Sequence, residues 1–210
     1  MRDEELYSGT IYLIRHGMTA GNRERRYVGS TDEDILETEW PVLTERGNKL
    51  RARGVFPEQP GFLAVSPMIR SRTTAKLLMP DTKQHIYKDL RECSFGAFEY
   101  RNHEELLGRP DYGHFLETYG KCGFPEGERY EAYFDRTNAA YLDVLRDAKD
   151  RGPLVICAHG GTIRVILASH AEEQREFYEW PAENGCIYRC ERDGETGKLK
   201  DVTLLTGPSD

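Results

Sequence analysis

The sequence predicts an α/β protein: a three-layer sandwich with a mostly parallel central sheet flanked by helices, plus an inserted helical and loop cap. Two observations carry this. The runs Ile11-Tyr12-Leu13-Ile14, Phe62-Leu63-Ala64-Val65 and Leu154-Val155-Ile156-Cys157 are apolar at consecutive positions, as in strands buried on both faces. Segments with helical signals separate them, and strands alternating with helices imply crossover connections and a parallel sheet. A length of 210 residues suits one well-cored domain and would be cramped as two, so residues 1–210 are expected to form a single domain.

The elements follow in order. The first strand ends at Arg15, and a loop rich in charge and turn residues runs from Asn22 to Pro41. Thr44 is expected to cap a helix that stops near Gly54. After the strand Phe62–Val65, Ser66-Pro67 reads as a helix start, with serine capping and proline in the first turn. That helix carries Arg70 and stops at Pro80, and Gln84 to Lys88 forms a third strand. The stretch from about 92 to 128 lacks strand periodicity and reads as the cap. Tyr130, Tyr133, Phe134, Thr137, Tyr141, Val144, Leu145 and Ala148 form the stripe of a long amphipathic helix. Cys186-Ile187-Tyr188 and Val202-Thr203-Leu204-Leu205 are expected to close the sheet at its edge.

Composition narrows the function. A net charge of −7 argues against general affinity for nucleic acid or an anionic membrane surface. No apolar stretch approaches a membrane span, and Met1-Arg2-Asp3-Glu4-Glu5 lacks the start of a signal peptide, so a cytoplasmic location is expected. The five cysteines are scattered without a C-x-x-C pair, which suggests neither a zinc site nor a disulfide framework. His85, His103, His114 and His170 show no metal-ligand spacing and read as packing or solvent-facing residues.

Two short words carry the chemistry. Arg15-His16-Gly17 and His159-Gly160-Gly161 each follow an apolar strand. Histidines at strand C-termini of one sheet meet where open α/β sheets place ligands. The arginine beside one of them is a partner for an oxyanion such as phosphate.

Leu13-Ile14-Arg15-His16-Gly17-Met18-Thr19 with Asn22 resembles the signature of the histidine phosphatase superfamily, which includes phosphoglycerate mutases. Ser66-Pro67-Met68-Ile69-Arg70, Leu90-Arg91-Glu92, Pro125-Glu126-Gly127-Glu128 and Ala158-His159-Gly160-Gly161 resemble further blocks of that family, in family order. The resemblance implies that His16 attacks phosphorus and becomes phosphohistidine. It implies that Arg15, Asn22, Arg70, His159 and the Gly160 amide hold the phosphoryl group. Glu92 would protonate the leaving alkoxide and then activate water, with Glu99, Glu104 and Glu128 as substitutes in the same region. The reaction needs no metal and no cofactor. A neutral imidazole suits the nucleophile, provided one ring nitrogen is held as N–H. Charge spread over the phosphoryl oxygens suits paired arginines.

Met18 stands where the family usually carries Glu or Gln, and the segment from Gly29 to Thr44 is longer and more acidic than usual. The expected substrate is a small phosphorylated metabolite, and nothing in the sequence decides for or against a homodimer. The stretch Phe95 to Arg101 and Asn184-Gly185-Cys186 resemble the α-ribazole phosphatase branch, making α-ribazole 5'-phosphate one candidate. Tyr112, Phe115, Tyr119 and Phe124 suit a nucleoside-like or sugar leaving group, or else pack the cap. Three alternatives stand beside hydrolysis of a metabolite: mutase-type phosphoryl transfer, a phosphoprotein substrate, and a non-catalytic phosphate-binding module.

Overall fold

The computed structural model describes residues 6–206, so the reading of Met1–Glu5 lies outside the described residues. Six strands form one sheet in the order β3-β2-β4-β1-β5-β6: β1 Gly9–Arg15, β2 Phe62–Val65, β3 Gln84–Ile86, β4 Leu154–Ala158, β5 Ile187–Arg192 and β6 Leu199–Leu204. The first four are mutually parallel, whereas β5 runs antiparallel to both β1 and β6. The expected three-layer architecture with a mostly parallel sheet is the one observed.

The apolar runs are continuous because alternate residues serve opposite layers. Ile11, Leu13, Ala64 and Ile156 pack with α6 (Tyr130–Asp147) and α7 (Gly160–His170) through Tyr141, Val144, Ile163 and Ile166. Tyr12, Ile14, Leu63, Val65 and Val155 pack on the other face with α2 (Glu39–Ala52) and α3 (Ile69–Leu78) through Leu43, Leu50, Ala75 and Leu78. A two-residue period on strands covered by helices on both faces leaves no position for a polar side chain.

Two helix starts differ from the sequence reading. α2 begins at Glu39, not after Thr44, whose hydroxyl instead donates to the Trp40 carbonyl inside the helix. Pro41 sits in the first turn, where its missing N–H would have had no partner anyway. α3 begins at Ile69, after Ser66-Pro67, and the Ile69 amide donates to Asp32 Oδ1 from the acidic loop. Ser66 is engaged elsewhere, as described below.

Between β3 and α6 lie a 3₁₀ turn at Gly96–Phe98 and two short helices, α4 (His103–Leu106) and α5 (Pro110–Glu117). They share a small core of Phe98, Leu106, Tyr112 and Phe115. A four-residue helix, α1 (Ala20–Arg23), follows the first histidine and is closed by a Thr19–Asn22 capping box. Among the described residues, no helix is long and apolar enough to cross a membrane.

Leu13 is fully buried on the central strand β1. Leu13→Ala is expected to destabilise the fold by about 2–5 kcal/mol, read as a lower urea midpoint with an unchanged slope.

Candidate active site

The register of the sheet builds the site. Arg15 pairs with Ala158 across β1 and β4, and Val65 pairs with Cys157 across β2 and β4. The chain then leaves each strand, so Ser66, His159 and His16 emerge side by side along one C-terminal edge. The His16 amide donates to the Ala158 carbonyl, and the two imidazole centroids lie 5.2 Å apart.

His16 is buried, and its Nδ1 lies 2.7 Å from the Gly17 carbonyl oxygen. A carbonyl can only accept, so Nδ1 carries the proton and Nε2 keeps the lone pair. Burial, and then the charges of Arg15 and Arg70, push His16 well below the ordinary histidine value. Its hydrogen bond to Gly17 opposes this but does not prevail. The result is a neutral imidazole on the wall of a cavity of about 550 Å³.

Of the residues the sequence assigns to phosphate, Arg15, Asn22 and Gly160 line that cavity with His16. Arg15 donates to the Ala182 carbonyl through one terminal nitrogen, while its buried Nε, beside Gly160, has no protein acceptor. Asn22 Oδ1 accepts from Asn184 Nδ2 at 2.8 Å, which turns the Asn22 amide group and its N–H donors. Asn184 also donates to the carbonyls of His16 and Gly17.

Arg70 and His159 are brought to the same place but lie fully buried, off the cavity surface. Arg70 Nε donates to His159 Nδ1 at 3.4 Å, so the proton of His159 sits on Nε2, which donates to Ser66 Oγ at 2.7 Å. The terminal nitrogens of Arg70 donate to the Gly29 and Thr31 carbonyls. A guanidinium has five N–H groups, so these contacts leave two for another acceptor. Burial, and then the charge of Arg70, also push His159 well below its ordinary value.

Of the four candidate acids, Glu92 alone lines the cavity. Glu104 is exposed. Glu128 pairs with Arg136 at 2.7 Å, and its carboxylate lies below the usual range through that pairing, against the opposing effect of burial. Glu99 accepts the amides of Gly29, Thr31 and Phe95, so it ties the acidic loop to the cap. Arg136 additionally donates to the carbonyls of Asp89, Arg91 and Glu92, clamping the segment that presents the acid. Glu92 itself accepts from Tyr133 Oη at 2.6 Å, the Cys93 amide at 2.9 Å and the Gly161 amide at 3.1 Å.

Beyond these groups the cavity is walled by rings: Tyr27, Phe95, Phe115 and Phe124 on one side, Tyr130, Phe177 and Tyr178 among the others. Arg164 lines it too, its guanidinium 5.8 Å from the Tyr178 centroid and its Nε on the Trp180 carbonyl. Tyr119 stands at the rim, three-quarters exposed. Tyr112 does not reach the cavity; it is buried in the cap, with its hydroxyl 2.9 Å from His103 Nδ1. The Met18 amide donates to Glu39 Oε2 at 3.2 Å.

Sequence reasoning missed Arg136 and Arg164 altogether and misjudged others. Ser66 looked like a helix cap, Glu99 like a spare acid, and Tyr133 like one more residue on a helical stripe. Asn184 lies about 160 residues from its partner Asn22, and only the fold joins them.

Residues 11–204 match the sequence pattern of the histidine phosphatase superfamily (branch 1), and the chain belongs to it. The probable phosphoglycerate mutase GpmB of Citrobacter koseri is 28% identical over 163 residues, 76% of this chain and 73% of that protein. The structure of the α-ribazole phosphatase from Shigella flexneri is similar with a TM-score of 0.81, at 20% identity, over 94% of this chain and 96% of that one. The phosphoserine phosphatase of Entamoeba histolytica in complex with 3-phosphoglyceric acid gives 0.75 at 20% identity, over 95% and 98%. These structures share the fold. Family and site together define a phosphomonoesterase of the histidine phosphatase type.

The neutral histidines make stability depend on pH. His16 and His159 lie well below 6.5 in the folded chain, and burial takes His170 to about 4. The unfolded chain therefore binds more protons below about pH 6.5, and stability present above that value is lost as the pH falls. Between pH 7.5 and 5.5, His16→Asn is expected to lose less stability than wild type, read from urea midpoints at both pH values.

Proposed function

We propose that this protein hydrolyses a small phosphomonoester in two steps, with His16 as the nucleophile. One observation carries the reading: a buried imidazole, kept neutral and fixed as the Nδ1–H tautomer, lines a cavity beside an arginine with an unpaired Nε. In the first step Nε2 attacks phosphorus and the ester oxygen departs with the proton of Glu92. In the second, water attacks the phosphohistidine and gives its proton to the Glu92 carboxylate. Arg15, Asn22 and the Gly160 amide grip the phosphoryl oxygens, and the buried guanidinium of Arg70 adds its positive charge from behind the cavity wall. His159 holds Arg70 and flanks the nucleophile.

The alcohol is best matched by a planar, mostly apolar group, because rings line the cavity where it would lie. α-Ribazole 5'-phosphate fits that description, and the fold shared with the Shigella flexneri α-ribazole phosphatase supports it. Relatives named phosphoglycerate mutases favour a second reading, phosphoryl transfer between phosphoglycerates. Of the basic residues in the inserted segment, Arg101, Arg109 and Lys121, none lines the cavity, and Arg109 is paired with Asp111. The inserted segment thus supplies no cation for a second anionic group, which supports hydrolysis, while Arg26 and Arg164 are the further cations on the cavity wall.

The test is turnover of p-nitrophenyl phosphate in EDTA. Wild type should remain active, and His16→Ala should lose at least about a thousandfold. Glu92→Gln should lose about a hundredfold or more in kcat, through the second step, where the carboxylate takes the proton of water. An inactive wild type that interconverts 3- and 2-phosphoglycerate with added bisphosphate would establish the mutase instead. Phe124→Ala should raise KM for α-ribazole 5'-phosphate more than for p-nitrophenyl phosphate, whereas Tyr112→Ala should act through stability alone.

A further inference from the structure

The hydroxyl of Tyr133 points at the acid of the candidate site. The ring packs against Cys93 and Val165, and lies 5.1 Å from the Arg136 guanidinium. The hydroxyl reaches Glu92 Oε1 at 2.6 Å, on the oxygen that also takes the Cys93 amide, while the Gly161 amide takes Oε2. Thr162 Oγ1 stands 3.4 Å behind it and donates to the Leu90 carbonyl. Three elements, α6, α7 and the acid segment, therefore converge on one carboxylate.

Gly161 supplies a second, independent observation. A Cβ at this position would lie 2.4 Å from Glu92 Oε1 and 2.5 Å from Tyr133 Oη. Only glycine lets the acid and the tyrosine meet at the first turn of α7. Burial, and then the neighbouring Glu92, push the Tyr133 hydroxyl well above its ordinary value, so it remains a donor at working pH.

We propose that Tyr133 is a positioning residue: its hydroxyl, with the Gly161 amide, holds and stabilises the Glu92 carboxylate that forms as the leaving alcohol departs. The inference rests on the phosphatase reading above. In the first step the Nε2–P bond forms and the P–O ester bond breaks. The Glu92 O–H proton passes to the ester oxygen, and Tyr133 donates to the carboxylate left behind. In the second step water forms the new P–O bond, Nε2–P breaks, and the water proton returns to Glu92. Tyr133 keeps its own proton throughout. A hydrogen bond to a developing charge strengthens as that charge appears, so its effect falls on proton transfer more than on binding.

The test compares two phosphate monoesters that differ in their need for an acid. p-Nitrophenolate leaves without protonation, whereas the alkoxide of 2-phenylethyl phosphate does not. Tyr133→Phe keeps the ring and removes the hydroxyl. It is expected to lower kcat/KM for 2-phenylethyl phosphate about ten- to a hundredfold more than for p-nitrophenyl phosphate, mainly through kcat. Gly161→Ala, which displaces the same pair by steric overlap, should show the same selectivity and serves if Tyr133→Phe folds poorly. Equal losses on both esters, or no loss on 2-phenylethyl phosphate, would overturn the inference while a wild type dependent on His16 upheld the phosphatase. A wild type inactive on both esters would overturn the two together.

Discussion

The site depends on one pairing, the register that sets Arg15 opposite Ala158 between β1 and β4. It delivers two histidines to neighbouring positions at the sheet edge, and everything else is arranged around that meeting. A slip of one residue would turn every side chain of β1 to the opposite layer and carry Arg15 and His16 away from their partners. The register is held along five pairs from Ile11 to Arg15, so the geometry of the imidazoles inherits the rigidity of the core. Such a base suits a reaction whose catalysis is mostly positioning and electrostatics.

Two buried imidazoles beside two arginines are compatible because each histidine is neutral and each arginine finds acceptors in the backbone. Arg70 illustrates this: the carbonyls of Gly29 and Thr31 receive its terminal nitrogens, and Glu99 in turn receives the amides of those two residues. A carboxylate thus lies one residue away from the guanidinium without capping it. The long acidic loop, unusual in the sequence, is the part of the chain that makes the arrangement possible, since Asp32 also receives the first amide of α3.

The fold was legible because its signal is local and repeated. Apolar runs and helical stripes state their layer residue by residue, and the structure follows them on both faces of the sheet. The two misplaced helix starts have different causes: Pro41 permits an earlier turn, and Ser66 is drawn to the distant His159 at the end of the neighbouring strand. The reactive residues were legible as words attached to strand ends. What could not be read was the ring of partners that orients them. Asn184 on Asn22, Ser66 on His159 and Tyr133 on Glu92 are pairings of ordinary residue types with no spacing to betray them. The choice of Glu92 over Glu99, Glu104 and Glu128 likewise needed three dimensions, because it rests on which carboxylates are already engaged.

The reactive end and the ring-walled end of the cavity come from different parts of the chain. Phosphoryl-facing groups stand on the ends of β1 and β4 or beside them, while Phe115 and Phe124 belong to the inserted segment and Phe177 to the turn after α7. Glu92 and Glu99 apart, substitutions in those outer segments can therefore accumulate without disturbing the buried register beneath. A lineage built on this plan can change the alcohol it accepts many times over and keep one chemistry.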